Sequence, residues 1–153
     1  MIKQKQEVIL VESIGDSMAL YEQGIKNNLV TFGIGCSPAV INYLSSFPVK
    51  KIIIATNNDV NSSINHGHIA ALKILVTLKQ YFDFDALEIK FPPKPYNDFS
   101  EAHSNGVNLK EWYLKQITQE DKLNGIRKMM EKYHNHLKGK SADSFMKFLE
   151  NNA

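Results

Sequence analysis

Cysteine is nearly missing from this chain: one, Cys36, in 153 residues. A single thiol excludes a disulfide framework and any multi-cysteine zinc site, so a reducing cytoplasm is the expected setting. Long apolar runs are missing as well. No stretch approaches the roughly 18–20 residues of a membrane span. The opening Met-Ile-Lys-Gln-Lys-Gln-Glu has basic residues but not the apolar segment of a signal peptide. No membrane partner is therefore expected. Charge of one sign is scarce too: 18 Lys+Arg against 16 Asp+Glu leave +2, too little to argue nucleic-acid binding from charge alone. That excess sits in residues 118–153, which hold seven Lys/Arg and five Asp/Glu, while residues 1–117 hold eleven of each. What remains is one domain's worth of ordinary protein, 43% hydrophobic and 22% charged, long enough to bury a core.

Three short apolar runs rich in Val and Ile, without polar alternation, predict buried parallel strands: Val8 to Val11, Leu29 to Phe32 and Ile52 to Ala55. Leu87 to Phe91 is more mixed and belongs nearer an edge. Between them lie helical patterns. From Ile64 onward, apolar positions including Ala71, Leu72, Leu75, Leu78 and Phe82 recur at helical spacing, with Gly67 allowing a close approach. Gly15 to Lys26 and Ser37 to Ser46 are shorter helices, the second opening on a Ser cap followed by Pro38. Four alternations of strand and helix predict an open α/β sheet of about four parallel strands, covered by helices on both faces. Chemistry in such sheets gathers at the strands' carboxyl ends.

After Pro92, Pro93 and Pro95 the pattern is helical only. Asn108-x-x-Glu111 and Thr118-x-x-Asp121 are cap signatures. Leu123, Ile126, Met130, Tyr133 and Leu137 form an apolar stripe, Gly139 ends that helix, and Ser141 to Leu149 offers another. The expected division is a domain over 1–117 and a C-terminal helical extension over 118–153, packed on the domain or serving as a partner-binding tail.

Acids stand where an open sheet would put a site. Glu12 directly follows the first strand with Asp16 a helical turn later, Asp59 follows the third strand, and Asp98 and Glu101 follow the fourth across the proline segment. Carboxylates converging from three loops would repel one another unless a divalent cation sat among them, and hard oxygen donors suit Mg²⁺ or Mn²⁺. Ser13-x-x-Asp16 and Asp98-x-x-Glu101 also read as helix caps, where acids favour the helix start. Glu12, abutting Val-Ile-Leu-Val, has the least structural reason for its place.

In order along the chain, these residues resemble the TOPRIM domain shared by bacterial and phage primases, type IA and type II topoisomerases and some nucleases. Glu7-Val-Ile-Leu-Val-Glu12-Ser-Ile-Gly-Asp16 is similar to its first motif, a strand ending in Glu, usually Glu-Gly, with an Asp four residues on. Val30-Thr-Phe-Gly-Ile-Gly35-Cys-Ser resembles the glycine-bearing strand and turn that follow. Ile52-Ile-Ile-Ala-Thr-Asn57-Asn-Asp59 resembles the Asp-x-Asp strand, and His66-Gly67-x-x-Ala70-Ala71 the small-residue helix after it. Phe91-Pro-Pro-Lys-Pro-Tyr-Asn-Asp98-Phe-Ser-Glu101 is similar to the proline-led Lys-Asp-x-x-Glu segment of phage helicase-primases. Two positions depart: Ser13 replaces the usual Gly, and Asn57 replaces the first Asp of Asp-x-Asp, bringing an amide oxygen without charge.

The resemblance implies a TOPRIM fold and a metal-dependent nucleotidyl transfer on nucleic acid. In it Glu12 handles a proton or positions the metal, and Asp59 with Asn57 binds Mg²⁺ or Mn²⁺. Asp16, Asp98 and Glu101 supply further ligands, directly or through water. It also implies single-stranded DNA template and nucleotides as partners, together with other primase or helicase domains or subunits. A bacterial-type primase carries a cysteine-rich zinc module and a basic polymerase subdomain upstream. With one Cys and a start at Met1, the expectation is a TOPRIM portion that makes little or no primer alone. Two other uses of the same residues are a TOPRIM nuclease and a non-catalytic module with a degenerate acidic site.

The remaining candidates carry less. His66 and His68, two apart, point in different directions on a helix, and His103 reads as a surface residue. Cys36 has no His/Asp partner by spacing. Gly33-Ile34-Gly35 is a tight turn or a phosphate-binding one. Lys50-Lys51 marks the solvated end opposite the site. Trp112 with Tyr113 and Tyr96 packs the helical region on the sheet or stacks on single-stranded bases.

Overall fold

The computed structural model describes residues 2–31, 36–59, 62–137 and 139–151. Four parallel strands, β1 (Glu7–Val11), β2 (Asn28–Val30), β3 (Lys51–Ile54) and β4 (Leu87–Ile89), form one sheet in the order β2-β1-β3-β4. Leu10 lies opposite Leu29 on one side and Ile54 on the other, and Ile53 pairs with Glu88. The uninterrupted apolar runs are explained by burial on both faces. Val8, Leu10, Ile52 and Ile54 face one apolar cluster, while Ile9, Val11, Ile53 and Ala55 face the other.

Helices divide between those faces. α2 (Ile14–Glu22), α5 (Phe99–Ser104) and α6 (Leu109–Leu114) cover the second cluster through Leu20, Phe99, Ala102, Leu109 and Trp112. α1 (Ile2–Lys5), α3 (Pro38–Ser45) and α4 (His66–Leu78) cover the first. α7 (Gln119–Tyr133) and α8 (Lys140–Asn151) join them, with Ile126, Met130, Tyr133, Phe145 and Leu149 buried in the cluster that holds Ile52 and Leu72. The C-terminal helices thus bury their apolar stripe against the sheet's own covering layer. No helix among the described residues is long and apolar enough to cross a membrane.

Some boundaries differ from the sequence expectations. α2 stops at Glu22, short of Lys26, because Gly24 turns into the left-handed region at φ +83°. α4 begins at His66, two residues late, because Asn65 is the cap and its side chain accepts from His68 N. α7 ends at Tyr133 in a 3₁₀ turn over His134–His136, and Gly139, at φ +118°, breaks the chain ahead of α8. The second and fourth strands are shorter than expected at their carboxyl ends. Phe32 and the Gly33-Ile34-Gly35 turn lie outside the described residues.

The sheet order places the site. From β1 the chain moves outward to β2 through α2, then returns past β1 through α3 to β3 and proceeds to β4 through α4. The reversal leaves a crevice between the carboxyl ends of β1 and β3, where helices depart to opposite faces and open sheets bind ligands.

Candidate functional site

Glu12 leaves β1 at that crevice and Asn57 follows β3 into it. Glu12 Oε2 accepts a hydrogen bond from the Asn57 backbone N–H at 2.9 Å, joining the two strand ends. Burial pushes the Glu12 carboxyl above its ordinary value; the Asn57 N–H opposes the rise, and the charges of Asp59 and Asp16 add to it. Asn57 Oδ1 is buried and accepts no hydrogen bond among the described residues. An unpaired buried acceptor is costly, and a bound donor or cation removes that cost.

Asp59 is held by the start of α4. Its Oδ2 accepts from Gly67 N at 3.1 Å and its own N–H donates to Asn65 Oδ1 at 3.1 Å. The helix can come this close only because residue 67 is glycine. A Cβ there would lie 1.5 Å from the Asn57 carbonyl oxygen, and the Gly67 carbonyl also accepts from Thr56 Oγ1 at 2.7 Å. Glycine, Thr56 and Asn65 together lock the loop carrying Asn57 and Asp59 onto a helix N-terminus, whose dipole favours negative charge.

The other acids are engaged differently. Asp16 is 1% exposed. Its Oδ2 accepts from Ser13 Oγ at 3.0 Å, and its Oδ1 accepts from Phe99 N at 3.1 Å and Ser100 N at 3.4 Å, so it caps α5 from across the fold. Burial raises its carboxyl, the Ser13 hydroxyl opposes that, the Asp98 charge adds to it, and the Ser100 and Phe99 amides lower it. Asp98 Oδ1 accepts from Glu101 N at 2.7 Å and so caps the same helix, while Glu101 Oε2 accepts from the N–H of Asn97, one residue ahead of the cap, at 3.1 Å. Glu101 is exposed. The fold therefore brings Glu12, Asn57 and Asp59 together, sets Asp16 beside them on the α5 amides, and engages one oxygen each of Asp98 and Glu101 at the start of α5.

Among the described residues no three His, Cys, Asp or Glu side chains gather as a metal-holding group. The oxygen donors present fit a hard cation of the Mg²⁺ kind nonetheless. Such an ion binds through one or two carboxylates and keeps water or phosphate oxygens for the rest of its shell. Glu12 and Asp59 are the carboxylates that could hold one, and Asn57 offers an amide oxygen with no partner among the described residues.

The lesser candidates have structural partners. His103 sits between Glu22 Oε2 at 2.6 Å and Gln23 Nε2 at 2.8 Å, and His68 stacks on Phe91 with ring centres 4.3 Å apart. Burial raises the Cys36 thiol, the wrong direction for a nucleophile. Lys51 pairs with Glu88 at the opposite end of the sheet. Trp112 packs edge-on against Phe99, and Tyr113 accepts from Asn27 through its hydroxyl. Two residues that sequence reasoning passed over matter here. Asn65 positions Asp59, and an Asn just ahead of a helical pattern is a signal that could have found it. Lys90 is buried and donates to the Tyr113 and Lys115 carbonyls, which nothing local in the sequence announces.

The class so defined is a doubly covered parallel α/β domain with an acidic crevice at its topological switch point. The Toprim-like family model matches residues 9–103, more than half of the chain, and the chain belongs to this family. No curated protein matches it. Solved primase structures share the fold. A DNA primase domain from Pseudomonas aeruginosa is 24% identical, with a TM-score of 0.57 over 72% of this chain and 33% of that one. The Aquifex aeolicus primase, comprising zinc-binding and RNA polymerase domains, is 22% identical, with a TM-score of 0.60 over 86% and 33%. A DnaG primase catalytic domain bound to ssDNA is 18% identical, with a TM-score of 0.60 over 78% and 37%. The chain spans about a third of the length of each.

Proposed function

We propose that this chain is a primase-type module that binds Mg²⁺ or Mn²⁺ and serves nucleotidyl transfer on a single-stranded DNA template within a larger primase or replication assembly. The observation that carries the reading is the Glu12 to Asn57 junction at the switch point, with Asn57 Oδ1, unpaired among the described residues, and the helix-mounted Asp59 beside it. The Toprim-like family and the primase folds it resembles support it, and the share of those primases it spans supports a need for further domains or subunits.

A bound divalent ion would supply charge neutralisation at the phosphate as one P–O bond forms and another breaks. The chain's own residues do the positioning. The Asn57 N–H fixes one oxygen of Glu12 and leaves the other to take a ligand or a proton. The Gly67 N–H does the same for Asp59. Asn57 contributes an oxygen without charge, so its share of ion affinity is smaller than a carboxylate's. Asp16, Asp98 and Glu101 act from the α5 start as positioning groups or through water.

Calorimetric titration with Mn²⁺ tests this. The wild type binds and Asp59→Ala binds far more weakly; no binding by either at about millimolar concentration sinks the reading. With single-stranded template, ribonucleotides and Mg²⁺, the chain alone makes little or no primer. Degradation of plain nucleic acid that disappears in Glu12→Ala would instead make it a nuclease.

A further inference from the structure

Against Asn58 and Asn65 lies a cleft of about 570 Å³, lined by the exposed Lys94, Lys115 and Ile117 and by the more buried Lys90, Phe91 and Trp112. Its described lining holds no Asp or Glu. In a chain whose first 117 residues balance their charges, three lysines without a carboxylate among them form a local cationic site. The walls are preformed. Lys90 Nζ donates to the carbonyls of Tyr113 at 3.1 Å and Lys115 at 2.9 Å, which fixes the segment bearing the Lys115 side chain. Trp112 Nε1 donates to the Phe91 carbonyl at 2.8 Å, and His68 stacks on the Phe91 ring. The cleft shares a wall with the acidic crevice: Asn58 and Asn65 line it, Asn65 Nδ2 donates to Asn58 Oδ1 at 2.8 Å, and Asn65 Oδ1 receives the Asp59 N–H.

We propose that this cleft seats an unpaired nucleotide of single-stranded nucleic acid, its phosphates on Lys94 and Lys115 and its base against the apolar wall of Phe91, Trp112 and Ile117. The inference rests on the reading of the chain as a nucleic-acid-acting module. Size and chemistry select this occupant. The volume suits one small ligand, and a cationic rim over an aromatic floor is how single strands are held without sequence readout. A duplex hides the base faces that the apolar wall would contact. A strand seated here passes the shared Asn58–Asn65 wall and brings its next phosphate toward Asp59.

Trp112 is the chain's one tryptophan, so its fluorescence reports occupancy of the cleft directly. The full chain in EDTA is titrated with a short oligothymidylate at several salt concentrations, beside a double variant, Lys94→Ala with Lys115→Ala. Both lysines are exposed, so the variant is expected to melt at the wild-type temperature. The wild type shows saturable quenching. The variant binds about tenfold more weakly, with a log–log salt slope smaller by roughly 1.4, the share of two single-strand phosphate contacts. Equal affinity in wild type and variant overturns the proposal, as does equal quenching by a duplex or by an acidic peptide. Because EDTA removes divalent ions, the outcome is independent of the Mn²⁺ titration. Cleft binding without Mn²⁺ binding refutes the metal reading alone, and the converse refutes the cleft alone.

Discussion

The two sets of acids at the carboxyl end of the sheet share an address and differ in what their oxygens do. Asp16 uses both of its oxygens, one on the Ser13 hydroxyl and one on the Phe99 and Ser100 amides, while Asp98 and Glu101 each give one oxygen to an N–H at the start of α5. Glu12 and Asp59 each give one oxygen to a single N–H of the β3–α4 region and stand beside an amide oxygen with no partner among the described residues. A carboxylate with both oxygens engaged, as in Asp16, stabilises the fold, whereas one held at a single point beside another oxygen donor, as Glu12 and Asp59 are beside Asn57, is oriented and still able to take a ligand. Proximity of acids to a crevice is therefore a weaker guide to chemistry than their remaining capacity.

That contrast can be broken most severely at Gly67. Gly67→Ala would put a methyl into the Asn57 carbonyl, forcing α4 from the loop. Denaturant unfolding should show a loss of about 3 kcal/mol or more, and Mn²⁺ binding should fall with it. A nearly neutral Gly67→Ala would mean that the helix start does not hold the site. Next comes Asp16→Ala, which strands the Phe99 and Ser100 amides; about 2 kcal/mol of stability should go, visible as a lower denaturation midpoint.

Glu12→Gln keeps an acceptor for the Asn57 N–H and removes the charge. It should weaken Mn²⁺ binding about tenfold and leave metal-free stability in mild acid nearly unchanged, with a small gain at neutral pH. A drop in stability matching that of Asp16→Ala would erase the distinction between the two sets.

A pH series sharpens the same point. Burial raises the Glu12 and Asp16 carboxyls in the folded state, so folding takes up protons there. Their contribution to stability is complete below the ordinary carboxylate value and is lost as pH rises through the raised one. The metal-free protein should melt at lower temperature at neutral pH than in mild acid, with part of that fall absent from Glu12→Gln and reversed by Mn²⁺. A melting temperature that rises monotonically toward neutral pH would contradict the assigned directions. Smallest of all is Glu101→Ala. Losing this exposed acceptor of the Asn97 N–H should cost about 0.5 kcal/mol and alter Mn²⁺ affinity less than about twofold.

Much of this was legible residue by residue. Val-Ile-Leu-Val and Ile-Ile-Ile read as buried strands because two-sided burial leaves no polar alternation. The caps at Ser13, Ser37, Asp98, Asn108 and Thr118 were readable because each bonds an N–H two or three residues on. Glu12 was conspicuous as an acid closing an apolar strand. Less legible was the division of labour among the acids: Ser13-x-x-Asp16 reads as a local cap pair, yet the same carboxylate also caps a helix 83 residues later.

The sequence by itself determined the elements, their local caps, the glycine at 67 and the acids at strand ends, since each depends on spacing along the chain. Only the tertiary structure decided which of those acids serve the start of α5 and which stand at the junction of β1 and β3. That depends on the strand order β2-β1-β3-β4, which sets Asn57 against Glu12, α5 against Asp16 and Lys90 under the 113–115 segment. Local periodicity carries no record of which strands will be neighbours, because pairing is a competition among distant segments for the same buried edge.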